Sequence, residues 1–188
     1  MKSVSLVVLT TTLALPAAAE PESFTIDPNH TFPSWEVTHM GISTQRGRFD
    51  KAAGKITVDT AAKTGSVEVT IDAASVDTGH PKLGEHLRSA DFLDVAVFPT
   101  ITFKGNEFAF DGDKVKAVKG QLTVHGVTQP VALDATSFAC GIHPMNKKKM
   151  CGAEFVAVIK RSDFGLKRGI PSVGDEMTLR INVEALKD

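Results

Sequence analysis

Tyrosine is absent from this chain, tryptophan occurs once and cysteine twice, and neither sign of charge dominates. Each shortage excludes something. With 21 basic and 22 acidic side chains the formal net charge is −1, which argues against broad electrostatic attraction to nucleic acid. Cys140 and Cys151 enclose ten residues, a spacing that fits neither a C-x-x-C redox pair nor the common zinc patterns. Local catalytic signatures are missing as well: there is no G-x-S-x-G, H-E-x-x-H, P-loop or G-x-G-x-x-G. His80 and His86, six apart, are poorly placed for one helical face. Asp111-Gly112-Asp113 lacks the later ligands and closing Glu of a calcium loop. No metal site or required cofactor is predicted, and no catalytic residue is assigned. Low-complexity tracts and internal repeats are also absent.

The single long apolar segment lies at the start. Lys2 supplies a positive charge, Val4 to Leu15 is mostly apolar, and Ala17-Ala18-Ala19 offers a small-residue cleavage site before Glu20. That is the form of a secretory signal. The apolar part is shorter than the roughly 20 residues needed to span a bilayer, and no cysteine follows it to carry a lipid anchor. The expectation is a signal peptide over residues 1–19 and one exported, periplasmic domain over residues 20–188. A domain of that size buries roughly 70% of its unfolded surface. In an oxidising compartment Cys140 and Cys151 are predicted to form a disulfide. Closing so short a loop stabilises by about 2–3 kcal/mol on the chain-entropy account. The loop contains Lys147-Lys148-Lys149, which reads either as a solvated tip or as a basic patch for an anionic lipid head or membrane surface.

What the chain has in quantity is strand pattern. Val67, Val69 and Ile71 alternate with Glu68, Thr70 and Asp72, and Met177, Leu179, Ile181 and Val183 alternate with polar neighbours. Trp35, Val37 and His39 keep the same period, as do Ile101 with Phe103 and Leu122 with Val124. Asp111-Gly112 sits between two such runs as a hairpin signal, and residues 59–65 connect two more. About eight to ten strand segments result. One helix is predicted, around Lys82 to Ala90, with Pro81 at an early helical position and Gly84 weakening it by about 1 kcal/mol. Antiparallel strands with one apolar face bury it as a sandwich or a closed barrel. Periodicity does not choose between them. Nor does composition decide whether the inward side chains, among them several of eleven Phe, fill a core or line a pocket.

An ordered set of short signatures adds to this reading. It begins with His30-Thr31, Trp35-x-Val37-x-His39-x-Gly41 and Gly47-x-Phe49. It continues with His86-Leu87-x-Ser89-x-Asp91-Phe92 and Phe98-Pro99-x-Ile101-x-Phe103. It ends with Gly120-x-Leu122-x-Val124-x-Gly126-Val127-Thr128-x-Pro130-Val131 and Arg161-Ser162-Asp163-Phe164-Gly165. In that order, from about Phe24 to Leu186, the set resembles the YceI-like family of exported, lipocalin-like proteins that bind polyisoprenoid lipids. The resemblance implies a mainly β fold, an extended antiparallel lipocalin-like β-barrel with a short helix. It implies a pocket lined by Trp35, Val37, Phe49, Val69, Ile71, Ile101, Phe103, Leu122, Val124, Leu179 and Ile181, closed by Leu87 and Phe92 from the helical segment. His39 shares the parity of Trp35 and Val37 and is expected to point inward, either toward a ligand carbonyl or phenol or to a protein partner. His30 and His86 are expected to brace loops. Arg161-Ser162-Asp163 is expected to support the barrel end, with Arg161 able to meet an anionic head. Thr31, Trp35, Leu93 and Phe98 depart from the residues usual in the family; Trp35, larger than Phe, bears on ligand size.

The implied function is binding, transport or storage of an isoprenoid lipid, a quinone or polyprenyl compound, in the periplasm. Two alternatives stand beside it: a packed, empty barrel acting as a structural or stress-related interaction protein, and an enzyme acting on an isoprenoid-like lipid. The expected partners are an apolar ligand and, transiently, a membrane or membrane enzyme, with the chain monomeric or homodimeric. Export with cleavage predicts that N-terminal sequencing of the periplasmic protein starts at Glu20; a retained Met1 would show that residues 1–19 are not a cleaved signal.

Overall fold

The computed structural model describes residues 20–188, and the predicted signal peptide lies outside that range. Strands β1 (Glu22–Ile26), β2 (Phe32–His39), β3 (Ser43–Phe49), β4 (Ala52–Asp59), β5 (Thr64–Asp72) and β6 (Val76–Asp77) precede one helix, α1 (Pro81–Arg88). Then come β7 (Thr100–Asp111), β8 (Lys114–Val124), β9 (Val127–Ile142), β10 (Lys149–Lys160) and β11 (Val173–Lys187). The helix starts where Pro81 placed it, and His80 caps it by accepting from the Leu83 N–H at 3.3 Å. Ala90 falls outside it and is exposed, while Gly84 is its buried residue.

All strand pairings are antiparallel and the sheet closes on itself through β1 and β11. Three of the staves are broken strands. β1 with β2 pairs against β4 with β3, and β5 continues through a short 3-10 turn into β6. Counting each broken pair as one stave gives an eight-stave antiparallel barrel in which neighbours in sequence are neighbours in space. The lipocalin-like barrel is therefore the architecture, not the sandwich. Closure removes the free edges that an open sheet would expose.

The seam depends on β11. Its far half pairs with β2, from Val173 opposite His39 to Asn182 opposite Phe32, and its end pairs with β1, from Ala185 opposite Ile26. Glu184 lies in the gap between the two. Its N–H donates to Thr31 Oγ1 at 3.1 Å, and its carbonyl accepts from Thr31 Oγ1 at 3.3 Å and from the Asp27 N–H at 2.8 Å. Thr31 is only 2% exposed, so a side chain replaces the missing ladder bonds where no water is at hand.

Elsewhere the walls bend at small residues. Gly105 faces Gly120 across β7 and β8, next to a register shift at Gly105/Glu107. A Cβ at Gly120 would lie 2.3 Å from the Lys104 carbonyl oxygen, so no larger residue fits that backbone. The hairpin predicted at Asp111-Gly112 forms, with Gly112 at φ +57°.

Arg161 anchors the helix end of the barrel. It is 3% exposed, and its guanidinium donates to the carbonyls of Leu166 (2.7 Å), Gly174 (2.8 Å), Arg168 (2.9 Å) and Val173 (2.9 Å). Ser162 adds its N–H and hydroxyl to the Asp175 carboxylate at 2.9 and 2.8 Å. These bonds hold Asp175 below its ordinary pKa. The expected support of the barrel end thus comes from Arg161 and Ser162; Asp163 contributes its carbonyl, which accepts from Gln129. Replacing Arg161 by Leu is expected to destabilise the fold by about 3 kcal/mol or more, since buried carbonyls are left without donors; urea unfolding measures it, and a loss below ~1 kcal/mol would refute this role.

Candidate functional site

The strand alternation delivers a continuous apolar inner surface, and the side chains do not fill it. A cavity of about 430 Å³ occupies the end of the barrel where β9 turns into β10. A second, of about 170 Å³, lies toward α1. Pro33, Ile71, Leu122, Leu179 and Ile181 line both, so the two are separated by a thin partition of side chains.

Thirteen of the fourteen predicted pocket residues line these cavities. Val69 and Phe103 face the larger, and Trp35, Val37, Phe49, Leu87, Phe92, Ile101 and Val124 the smaller. Ile71, Leu122, Leu179 and Ile181 belong to both. His39 is the correction. It is exposed and lines neither cavity. Its parity with Val37 is right only while β2 follows the wall. Beyond Val37 the ladder with β11 is irregular between Val173 and Met177, and the strand runs past the rim into solvent.

The bracing roles are visible. His30 Nδ1 sits 2.8 Å from Asp27 Oδ2, and this partner raises the His30 pKa and lowers that of Asp27. His86 lies 3.5 Å from Asp91 and meets Phe92 edge-on at 4.9 Å, which steadies the segment after α1. Asp27, His30 and Glu184 bring three potential metal-ligating atoms within 4.8 Å. This cluster lines neither cavity, and the His30–Asp27 bond already accounts for two of its members.

Of the mouth of the larger cavity, the sequence singled out the two cysteines and, within the 147–149 run, Lys149, but not the groups that meet them there. Glu22, Thr60, Asp113, Lys114 and Lys149 line it with the Cys140–Cys151 disulfide, which joins directly opposed residues of β9 and β10. The Glu22 carboxylate accepts from Lys149 and, at 2.7 Å, from Lys187. Those two bonds, Lys149 first, hold its pKa below the ordinary 4.5 despite partial burial. Lys149 also sits 5.9 Å above the Phe24 ring. Glu22 and Lys149 are 127 residues apart, so no local signal joins them. Phe138 and Phe155 on the larger cavity were also missed, although each lies on an alternating strand.

The sequence matches the YceI-like domain over residues 24–185. The chain belongs to the YceI family. Protein YceI of Escherichia coli O157:H7 is 37% identical over 159 residues, covering 84% of this chain and 82% of that one. Among solved structures, BcnA of Burkholderia cenocepacia superposes with a TM-score of 0.73 at 26% identity, over 85% of this chain and 98% of its own. A polyisoprenoid binding domain from Saccharophagus degradans has the same fold, with a TM-score of 0.61 at 17% identity over 89% and 99%.

In this YceI domain the ion pairs at the mouth make stability depend on pH. Because the folded Glu22 pKa is depressed, its contribution is complete above the unfolded value near 4.5 and is lost as pH falls through the folded value. Glu22→Gln is therefore expected to lower the urea midpoint at pH 7 and to converge with the parent protein at strongly acidic pH. A constant difference at all pH values would contradict this linkage.

Proposed function

We propose that the protein is a periplasmic binding protein that carries or stores an isoprenoid lipid, a quinone or polyprenyl compound, by burying the tail in the paired cavities. The observation that carries this reading is the unfilled apolar interior, enclosed by a closed barrel and open at a charged mouth. Burying each CH₂ of a tail contributes about 0.8 kcal/mol without any directional bond, so an apolar wall is sufficient for affinity. The same physics makes the wall a poor judge of tail identity, because one methylene changes affinity by only about 1–3 kcal/mol. Length is limited by the cavities. A long tail passes from the larger to the smaller only where Leu122 and its neighbours give way.

Family membership supports a lipid-binding barrel, and the Saccharophagus degradans domain, described as polyisoprenoid binding, supports the ligand class. The signal-like residues 1–19 support export. Binding and release are physical steps, and the reading assigns no bond-making residue.

Mass spectrometry of an organic extract of the natively purified protein is the direct test, with a stoichiometric isoprenoid or quinone expected. A different lipid would replace the ligand class, and no lipid in the extract or after incubation with isoprenoids would refute the carrier. Leu122→Trp fills the partition and is expected to fold, at a cost of about 1–3 kcal/mol, while losing most of the bound lipid. Full lipid content in that folded variant would refute the site.

A further inference from the structure

The hairpin between β9 and β10 carries a combination found on no other turn of the described residues. Ile142 is 65% exposed and Met145 86% exposed. Lys147 and Lys148 stand beside them, exposed. Among the described residues neither makes a salt bridge within 4.0 Å. Asp188, its pKa lowered first by Thr25 and Lys55, is the carboxylate near enough to Lys148 for that charge to add to the lowering. No acidic residue occurs from Ala135 through Ala153. An exposed apolar tip flanked by two exposed lysines is chemically complementary to an anionic lipid surface, where apolar groups enter the interface and each nearby Lys adds about 1 kcal/mol.

The tip is also held in shape. The His143 N–H donates to the Lys148 carbonyl at 2.8 Å, and the Lys147 N–H to the His143 carbonyl at 3.0 Å. His143 Nδ1 accepts from the N–H groups of Met145 and Asn146, each at 3.3 Å, and Asn146 Oδ1 accepts from the Lys148 N–H at 3.0 Å. The Cys140–Cys151 disulfide ties the base. A pre-shaped tip presents Met145 on a backbone already ordered before contact, which leaves only side-chain ordering to be met there. The third lysine, Lys149, turns back to Glu22 and lines the cavity mouth together with both cysteines. The hairpin is thus the rim of the larger cavity.

We propose that this hairpin is a membrane-docking element: Ile142 and Met145 enter, and Lys147 and Lys148 bind, the surface of an anionic bilayer, seating the mouth of the larger cavity on the lipid. The inference rests on the carrier reading for its purpose, since a cavity opening onto a bilayer can exchange an apolar tail without passing it through water.

The test is flotation of the purified protein with vesicles of phosphatidylglycerol mixed with phosphatidylcholine, against pure phosphatidylcholine. Binding to the anionic vesicles is expected, and it should weaken as salt rises. Lys147→Gln with Lys148→Gln should reduce it roughly tenfold or more, and Ile142→Ser with Met145→Ser by a comparable factor. Ile42→Ser removes an equally exposed apolar side chain, 83% exposed at the opposite end of the barrel, and should leave binding unchanged. No preference for anionic vesicles overturns the proposal. So does an equal loss with Ile42→Ser, or self-association through the hairpin, seen by light scattering, without vesicle binding. Lipid extracted from each variant is measured in parallel: hairpin variants that keep their lipid but lose vesicle binding support docking. If the parent protein binds vesicles but carries no lipid, docking stands and the carrier reading falls.

Discussion

Closure of the barrel at β11 is the constraint on which the rest of the structure depends. One edge of that strand is divided between β1 and β2, because the chain breaks at Pro28 and resumes at Phe32. A break in a barrel wall leaves backbone groups without ladder partners, and burial there is costly. The Thr31 hydroxyl solves this locally by accepting from and donating to Glu184, and Asp27 completes the set. The bond between His30 and Asp27 fixes the loop that brings Thr31 into place. Without this seam the sheet would expose two edges and its apolar face together.

Closure also sets the size of the interior. Eight staves enclose a space wide enough to admit one small ligand, and here apolar side chains leave two voids rather than a filled core. An empty apolar cavity forfeits dispersion contacts along its lining. The domain offsets that loss at its two ends. Arg161 satisfies four carbonyls at the end near α1, and the Cys140–Cys151 bridge and the Glu22 ion pairs brace the open rim at the other. The cavity is therefore framed by its most constrained groups, while the partition between its halves consists of apolar side chains free of directional bonds.

The chemistry of the two ends differs, and that polarity gives the barrel a direction. At the α1 end the buried guanidinium spends its donors on backbone carbonyls, so the anionic head considered for Arg161 would have to compete with them. At the opposite end the lysines lie at the mouth or on the hairpin beside it. The mouth itself carries both signs, Glu22 and Asp113 beside Lys114 and Lys149, and Lys149 is already paired with Glu22. Under the proposed carrier reading a tail enters here and its head stays among these charges.

Much of this was legible in the residues. Period-two alternation in β5 and β11 identified the inward faces, because side chains on a strand must alternate. Pro81 marked the helix start, and Gly112 the tight hairpin. The family resemblance chose the barrel and the pocket walls, which neither periodicity nor composition could do. His39 shows where parity stops: alternation says which side of a strand a residue takes, not where the wall ends, and β2 runs past the rim. Only the tertiary structure decided that the interior is hollow, that Glu22 meets Lys149 and Lys187, and that the basic hairpin borders the mouth. Each of these depends on distances between staves far apart in the chain, which are set by closure of the sheet and not by any local pattern of residues.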